Sequence, residues 1–143
     1  PLRASLEALA VASGLSDRIE FLGWRSGGEV SRLMSEADLF VAPSVTAADG
    51  DMEGMPLVIS EALATGLPVI GSRHSGIPEV VLDGENGLVV EERDVQGLAS
   101  GLIHFSDEGN RLRAASNARR TAETRFCSTK QGDELLKLLE SIA

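Results

Sequence analysis

The chain has 143 residues, 43% hydrophobic and 24% charged, with 13 basic against 22 acidic side chains and a net charge of -9. That length buries roughly 68–70% of the unfolded surface, enough for a core without disulfides or metal, and the acidic balance excludes a nucleic-acid binder, whose affinity comes from Lys and Arg neutralising phosphates. The single cysteine, Cys127, excludes an internal disulfide framework, and no apolar run approaches the ~18 residues of a membrane span.

These features predict one domain over residues 1–143 in a reducing, cytoplasmic setting, with no leader or direct membrane insertion. A start at Pro1 without methionine is expected of an excised piece. The charge is localised. Residues 1–43 carry -2 and residues 95–143 carry +1, whereas residues 44–94 hold only Arg73 and Arg93 against ten acidic side chains, a net -8. The middle third, where glycine and proline also concentrate, is the candidate functional face.

In chain order, Leu2, Leu6 and Leu9 recur at helical spacing and stop near Gly14. Ile19–Leu22 reads as a short strand closed by Gly23. Val30, Leu33, Met34 and Ala37 mark a second amphipathic helix, and Asp38–Ala42 a buried strand ended by Pro43. An acidic loop over 45–55 follows. Pro56 suits the first position of a helix running to Thr65, with Gly66 as its stop.

Pro68–Gly71 is the next strand, followed by a loop at 72–76 and a helical turn at 78–82. Asp83–Gly87 has the composition of a positive-φ turn, and Leu88–Val90 is a further strand. Asp94 caps a helix bearing the stripe Val95, Leu98, Ala99, Leu102 and Ile103. Helices near 108–124 and 129–142 finish the chain, the last with Leu135, Leu138, Leu139 and Ile142 on one face. Short apolar strands alternating with amphipathic helices predict an α/β fold, an open parallel sheet with helices on both faces. Such sheets begin with a strand, so a leading strand is expected to be missing.

Ligands of open α/β sheets bind beyond the carboxyl ends of the strands. There the loop after Phe40-Val41 enters Glu53-Gly54-Met55-Pro56-Leu57 and the helix carrying Glu61. The free N–H groups and dipole of that helix start suit an anion without a basic side chain. Helical throughout, the segment would set Glu53 and Glu61 ~12 Å apart, wider than the ~5–9.5 Å of glycosidase carboxylate pairs. Two acceptors flanking an anion hole suit a ligand with hydroxyls at both ends and phosphate between, as in a nucleotide-sugar.

Glu53-x7-Glu61, read as Glu-Gly-Met-Pro-Leu-Val-Ile-Ser-Glu-Ala, resembles the signature of the retaining glycosyltransferases of group 1, family 4. The similarity continues through Ala64–Ile70, Ser75–Val81 and Asp83–Val89, and upstream to Ile19–Gly23. It covers essentially the whole chain as the C-terminal, Rossmann-like lobe of a two-lobed GT-B enzyme. The resemblance implies that Glu61 accepts hydrogen bonds from the ribose hydroxyls and that Glu53, the catalytic candidate, contacts the donor sugar. Backbone amides around Gly54, Met55 and Leu57 would hold sugar and diphosphate, Pro56 having none to offer. Gly23 and Trp24 would lie near the nucleobase.

The resemblance further implies a UDP- or GDP-linked donor, no cofactor or metal, retention of anomeric configuration and front-face displacement. The acceptor would be a polysaccharide or lipid-linked glycan, reached through an N-terminal lobe that also brings any contact with the inner face of a bacterial membrane. The family's diphosphate-clamping Arg and Lys lie upstream of Pro1, and no lysine precedes Lys130. This chain alone is therefore expected to be inactive and, with an uncovered last helix, able to dimerise.

The competing readings are a non-catalytic nucleotide-sugar-binding or scaffold domain and a nucleotide-sugar epimerase, the latter disfavoured by Glu-Gly-Met-Pro-x4-Glu. Asp49-x-Asp51 is a solvated turn more readily than a metal motif. As a calcium loop the same stretch puts Ser60 where a bidentate Glu is needed. His74, in the loop after a strand, is within reach of the donor sugar, though a lone exposed histidine is more often neutral in function. His104 is read as structural and Cys127 as a small packing residue.

Overall fold

A computed structural model describes residues 2–47, 50 and 54–142. The chain divides into two compact units, residues 1–31 and 32–143. In the first, α1 (Arg3–Ala12) is followed by a single 3₁₀ turn (Ser16–Arg18) and the start of α2 (Gly27–Glu36). The helix α2 begins three residues before the expected Val30, because Ser26 and Glu29 form a capping box. The Glu29 carboxylate accepts from the Ser26 amide and hydroxyl at 2.9 and 2.7 Å, satisfying donors that the helix start leaves open. Ile19–Leu22, expected as a strand, has no strand partner among the described residues. Ile19 is extended, at φ -124° and ψ 121°, but an extended segment becomes a strand only beside another.

The second unit is built on three parallel strands in the order β1-β2-β3: β1 (Phe40–Ala42), β2 (Val69–Ser72) and β3 (Gly87–Val90). Their register places Val41, Ile70 and Leu88 in one row. That face packs on Leu98 and Phe105 of α5 (Val95–Ser106) and on Ala114 of α6 (Glu108–Arg125). The other face meets Ile77 and Val81, in and just after α4 (Ile77–Val80), while α3 (Leu57–Thr65) packs against β1 and β2. Helices thus cover both faces of the parallel sheet, as the alternation of elements predicts. The last helix, α7 (Ser128–Ser141), has no buried residue.

One expectation inside this frame needs correction. The stripe on α5 is out of phase: Val95, Ala99, Leu102 and Ile103 are exposed, and the helix buries Gly101 and Phe105 instead. A Cβ on Gly101 would stand 3.0 Å from Ile70 Cδ1 and 3.5 Å from Leu88 Cδ1, so the glycine lets the helix axis come close to the sheet. The turn after α4 has the expected positive φ at Gly84, 76°, and Asn86 within it is fully buried. The Asn86 amide donates to the Val80 carbonyl and the Thr121 hydroxyl and accepts from the Leu82 amide, joining α4, the turn and α6. No helix among the described residues is long and apolar enough to cross a membrane.

Candidate donor-binding site

Because the three strands run parallel, their carboxyl ends form one edge of the second unit. Ala42 leads into 43–47, Ser72 into 73–76, and Val90 into Glu91 and Glu92. The hydroxyl of Ser72 donates to the Ser44 carbonyl, tying the first two segments together. Beside this edge α3 opens at Leu57, one residue later than expected. Pro56 is the N-cap, at φ -62° and ψ 119°, and is buried. Proline fixes its own φ and has no N–H to leave unpaired, so it enters the helix at that boundary without cost in lost hydrogen bonds. Gly66, at φ 83°, closes the helix in the left-handed conformation and donates to the Leu63 carbonyl.

Gly54, Met55, Pro56, Leu57 and Glu61 lie together at the start of α3, within the second unit. Gly54 and Leu57 are exposed, Met55 is half-buried, and Glu61 is exposed one turn into the helix. Since residues 54–56 are not helical, the helical rise used to space Glu53 from Glu61 does not apply across them. Glu53 lies outside the described residues, as do Asp49 and Asp51. Gly23 and Trp24 belong to the first unit: Gly23 turns the chain at φ 68°, and the Trp24 ring is 86% exposed rather than packed as cover.

The loop after β2 reaches the motif directly. The Gly76 amide donates to the Gly54 carbonyl at 3.3 Å, and a Cβ on Gly76 would sit 3.3 Å from Met55 Cβ. A side chain there would press on the motif backbone, so the close approach calls for glycine. Ser75, beside it, holds φ at 46°, a conformation uncommon outside glycine and frequent near ligand sites.

Sequence reasoning singled out His74 at the same edge but missed its burial and its partners. His74, expected as an exposed loop histidine, is 2% exposed, and its Nδ1 lies 2.7 Å from Glu92 Oε1. Glu92 also accepts from the Thr46 amide at 2.9 Å and the Thr46 hydroxyl at 3.0 Å. These donors, the Thr46 amide foremost and then His74, hold the Glu92 carboxyl down at about 2. An ionised carboxylate only accepts, so Nδ1 of His74 carries the hydrogen. The available signal was position alone, Glu92 standing two residues past the carboxyl end of a parallel strand.

Elsewhere, His104 is exposed and stacks edge-on with Phe105 at 5.1 Å, as a structural residue does. Cys127 is the half-buried N-cap of α7, its thiol drawn below the usual value chiefly by the Lys130 backbone N–H. Among the described residues no cluster of three metal-ligating side chains occurs.

The family model described as Glycosyl transferases group 1 matches residues 1–108. The chain is 39% identical over 143 residues to the amylovoran biosynthesis glycosyltransferase AmsK of Erwinia amylovora, covering 99% of this chain and 35% of that protein. Its fold is similar to that of Anabaena Alr3699/HepE in complex with UDP, with a TM-score of 0.82 and 30% identity over 96% of this chain and 36% of that one. It is also similar to the solved C-terminal domain of the group 1 glycosyl transferase LpcC of Francisella tularensis. There the TM-score is 0.77 at 28% identity, over 89% of this chain and 63% of that one. The chain spans about a third of the length of the curated relatives it matches. With the parallel sheet, its carboxyl-edge motif and a match over three quarters of its length, this chain belongs to the group 1 glycosyl transferases, enzymes of the GT-B fold.

Proposed function

We propose that this chain is the nucleotide-sugar donor lobe of a retaining, metal-independent glycosyltransferase. The parent enzyme would transfer a sugar to a polysaccharide or lipid-linked glycan acceptor. The observation that carries the reading is the opening of α3 at the carboxyl edge of the sheet, where Gly54 and Gly76 bring bare backbone together and Glu61 stands exposed one turn further on. The helix start offers N–H donors and a positive dipole end to a diphosphate, and Glu61 offers a carboxylate to the ribose hydroxyls. In this reading the role of Glu53 is to serve the donor sugar, as the family signature implies. The UDP bound by the Anabaena protein supports the same class of ligand.

In the reaction so read, the bond from the anomeric carbon to the diphosphate oxygen breaks. The acceptor oxygen bonds the same face, and its proton passes to the leaving phosphate. Charge stabilisation and positioning do this work more than side-chain acid/base transfer. Within 44–94 the only cations are Arg73 and Arg93. Arg73 is engaged by Glu91 at 2.7 Å, which leaves little positive charge for a developing diphosphate. The isolated chain is therefore expected to bind donor weakly and to turn none over.

Ligand-observed NMR with UDP, GDP, ADP and their sugar conjugates, in the absence of metal, tests this. Metal-independent binding of one base, lost in Glu61→Ala, is the expected result. Binding that ignores Glu61→Ala, or that requires a divalent cation, would overturn the donor-site assignment, and sugar transfer by the isolated chain would overturn its inactivity.

A further inference from the structure

Thr46 and Gly54 are each held by loops at the strand ends, Thr46 by Glu92 and Gly54 by the 73–76 loop. Thr46 gives its amide and hydroxyl to Glu92, and His74 gives Nδ1–H to the same carboxylate. The Gly54 carbonyl takes the amide of Gly76, two residues beyond His74. The 73–76 loop itself is braced, since the His74 amide donates to the Ser72 carbonyl at 2.8 Å and the Ile77 amide to the His74 carbonyl at 3.1 Å. We propose that 73–76 act as a clip that fixes the separation of Thr46 and Gly54, with His74, Glu92 and Thr46 as positioning residues for the backbone that meets the donor.

Burial argues that the clip is built for this. An imidazole 2% exposed must have its polar atoms satisfied, and Glu92 supplies an acceptor from a third strand end. Three donors converge on one carboxylate, and hydrogen bonds to an ionised acceptor are the strong ones. The sheet then sets the anchor points: β2 leads to His74, β3 to Glu92 and β1 to Thr46, each within four residues of a strand end. The consequence for ligand rests on the donor-site reading above; the clip itself does not.

Amide hydrogen exchange on this chain separates the two. Glu92→Ala is expected to speed exchange roughly tenfold or more at the Thr46 amide, and likewise at the Gly76 amide across the clip, with Ala118 in α6 unchanged. His74→Leu should do the same, whereas His74→Asn, whose amide can replace the Nδ1–H donor, should restore protection. If His74→Leu does not fold, Glu92→Ala and Thr46→Val carry the comparison. Affinity for whichever of UDP, GDP or ADP the wild type binds should fall about tenfold in Glu92→Ala and in His74→Leu and stay near the wild-type value in His74→Asn.

Faster exchange at Thr46 with Gly76 unmoved would overturn the clip. Loss of protection at both ends with unchanged nucleotide affinity would overturn its positioning role. If the wild type binds none of the three nucleotides, the donor reading fails, and the exchange pattern alone decides for or against the clip.

Discussion

At the scale of single residues, Glu92 is the group whose ionisation the fold uses most visibly. Its carboxyl is held at about 2, below the ordinary 4.5, by the Thr46 amide first and by His74 next. The folded state therefore binds the proton less readily than the unfolded chain does. Its contribution to stability is complete above pH 4.5 and is lost as pH falls towards 2. Urea unfolding of wild type and Glu92→Gln should show a stability gap at pH 6 that narrows steadily towards pH 3, because the glutamine does not titrate. A gap independent of pH would mean that shape, not charge, holds Thr46. The helix start at Pro56 and Leu57, beside the sheet edge, was legible because its residues are contiguous and their types suit a helix N-terminus. Glu92, Thr46 and the burial of His74 were not, since these partners lie 18 to 46 positions apart and no local period encodes such a meeting.

Among elements, α5 shows where pattern reading misleads. Five apolar residues fall at helical spacing, yet Val95 and Ile103 are 72% and 73% exposed while Phe105 is 4% exposed. Counting apolar residues selects the face with the most of them. Packing instead selected the face whose Gly101 lets the helix approach Ile70 and Leu88. A missing side chain leaves no mark in a hydrophobic period, so the phase could not be read. Phe105→Ala should cost about 3–5 kcal/mol, in the range of buried aromatic truncations, and Ile103→Ala about 0.5 kcal/mol or less, as for an exposed position. Chemical denaturation of the two variants checks the phase directly, and equal losses would restore the sequence-based face. Helix termini were read more accurately. The Asp94 side chain accepts from the Gly97 amide at 2.8 Å, as its place before the helix implies, and Gly66 ends α3. Caps are local chemistry; strand pairing is not, so Ile19–Leu22 had the right composition and lacked a partner.

For the molecule as a whole, the two units differ in what they can bury. Residues 32–143 hold the sheet, both helical layers and the buried row around Ile70, Ile59 and Leu63. Among the described residues of 1–31, Ala10 is the only buried one, and Leu6, Leu9, Leu15 and Ile19 are each more than 40% exposed. A unit of this size with one small buried side chain cannot offset the conformational entropy of its own ordering, about 1–2 kcal/mol per residue for the backbone alone. Its amides should therefore open by local rather than global unfolding. Hydrogen exchange across the chain is expected to give protection at Ala62, Leu63, Ile70 and Ala118 that approaches the global stability. The α1 amides from Glu7 to Val11 should exchange at least about a hundredfold faster, with a free energy that does not follow denaturant. Uniform protection from α1 to α6 would mean that the first 31 residues unfold only with the sheet, and that their apolar side chains are worth far more than their exposure allows.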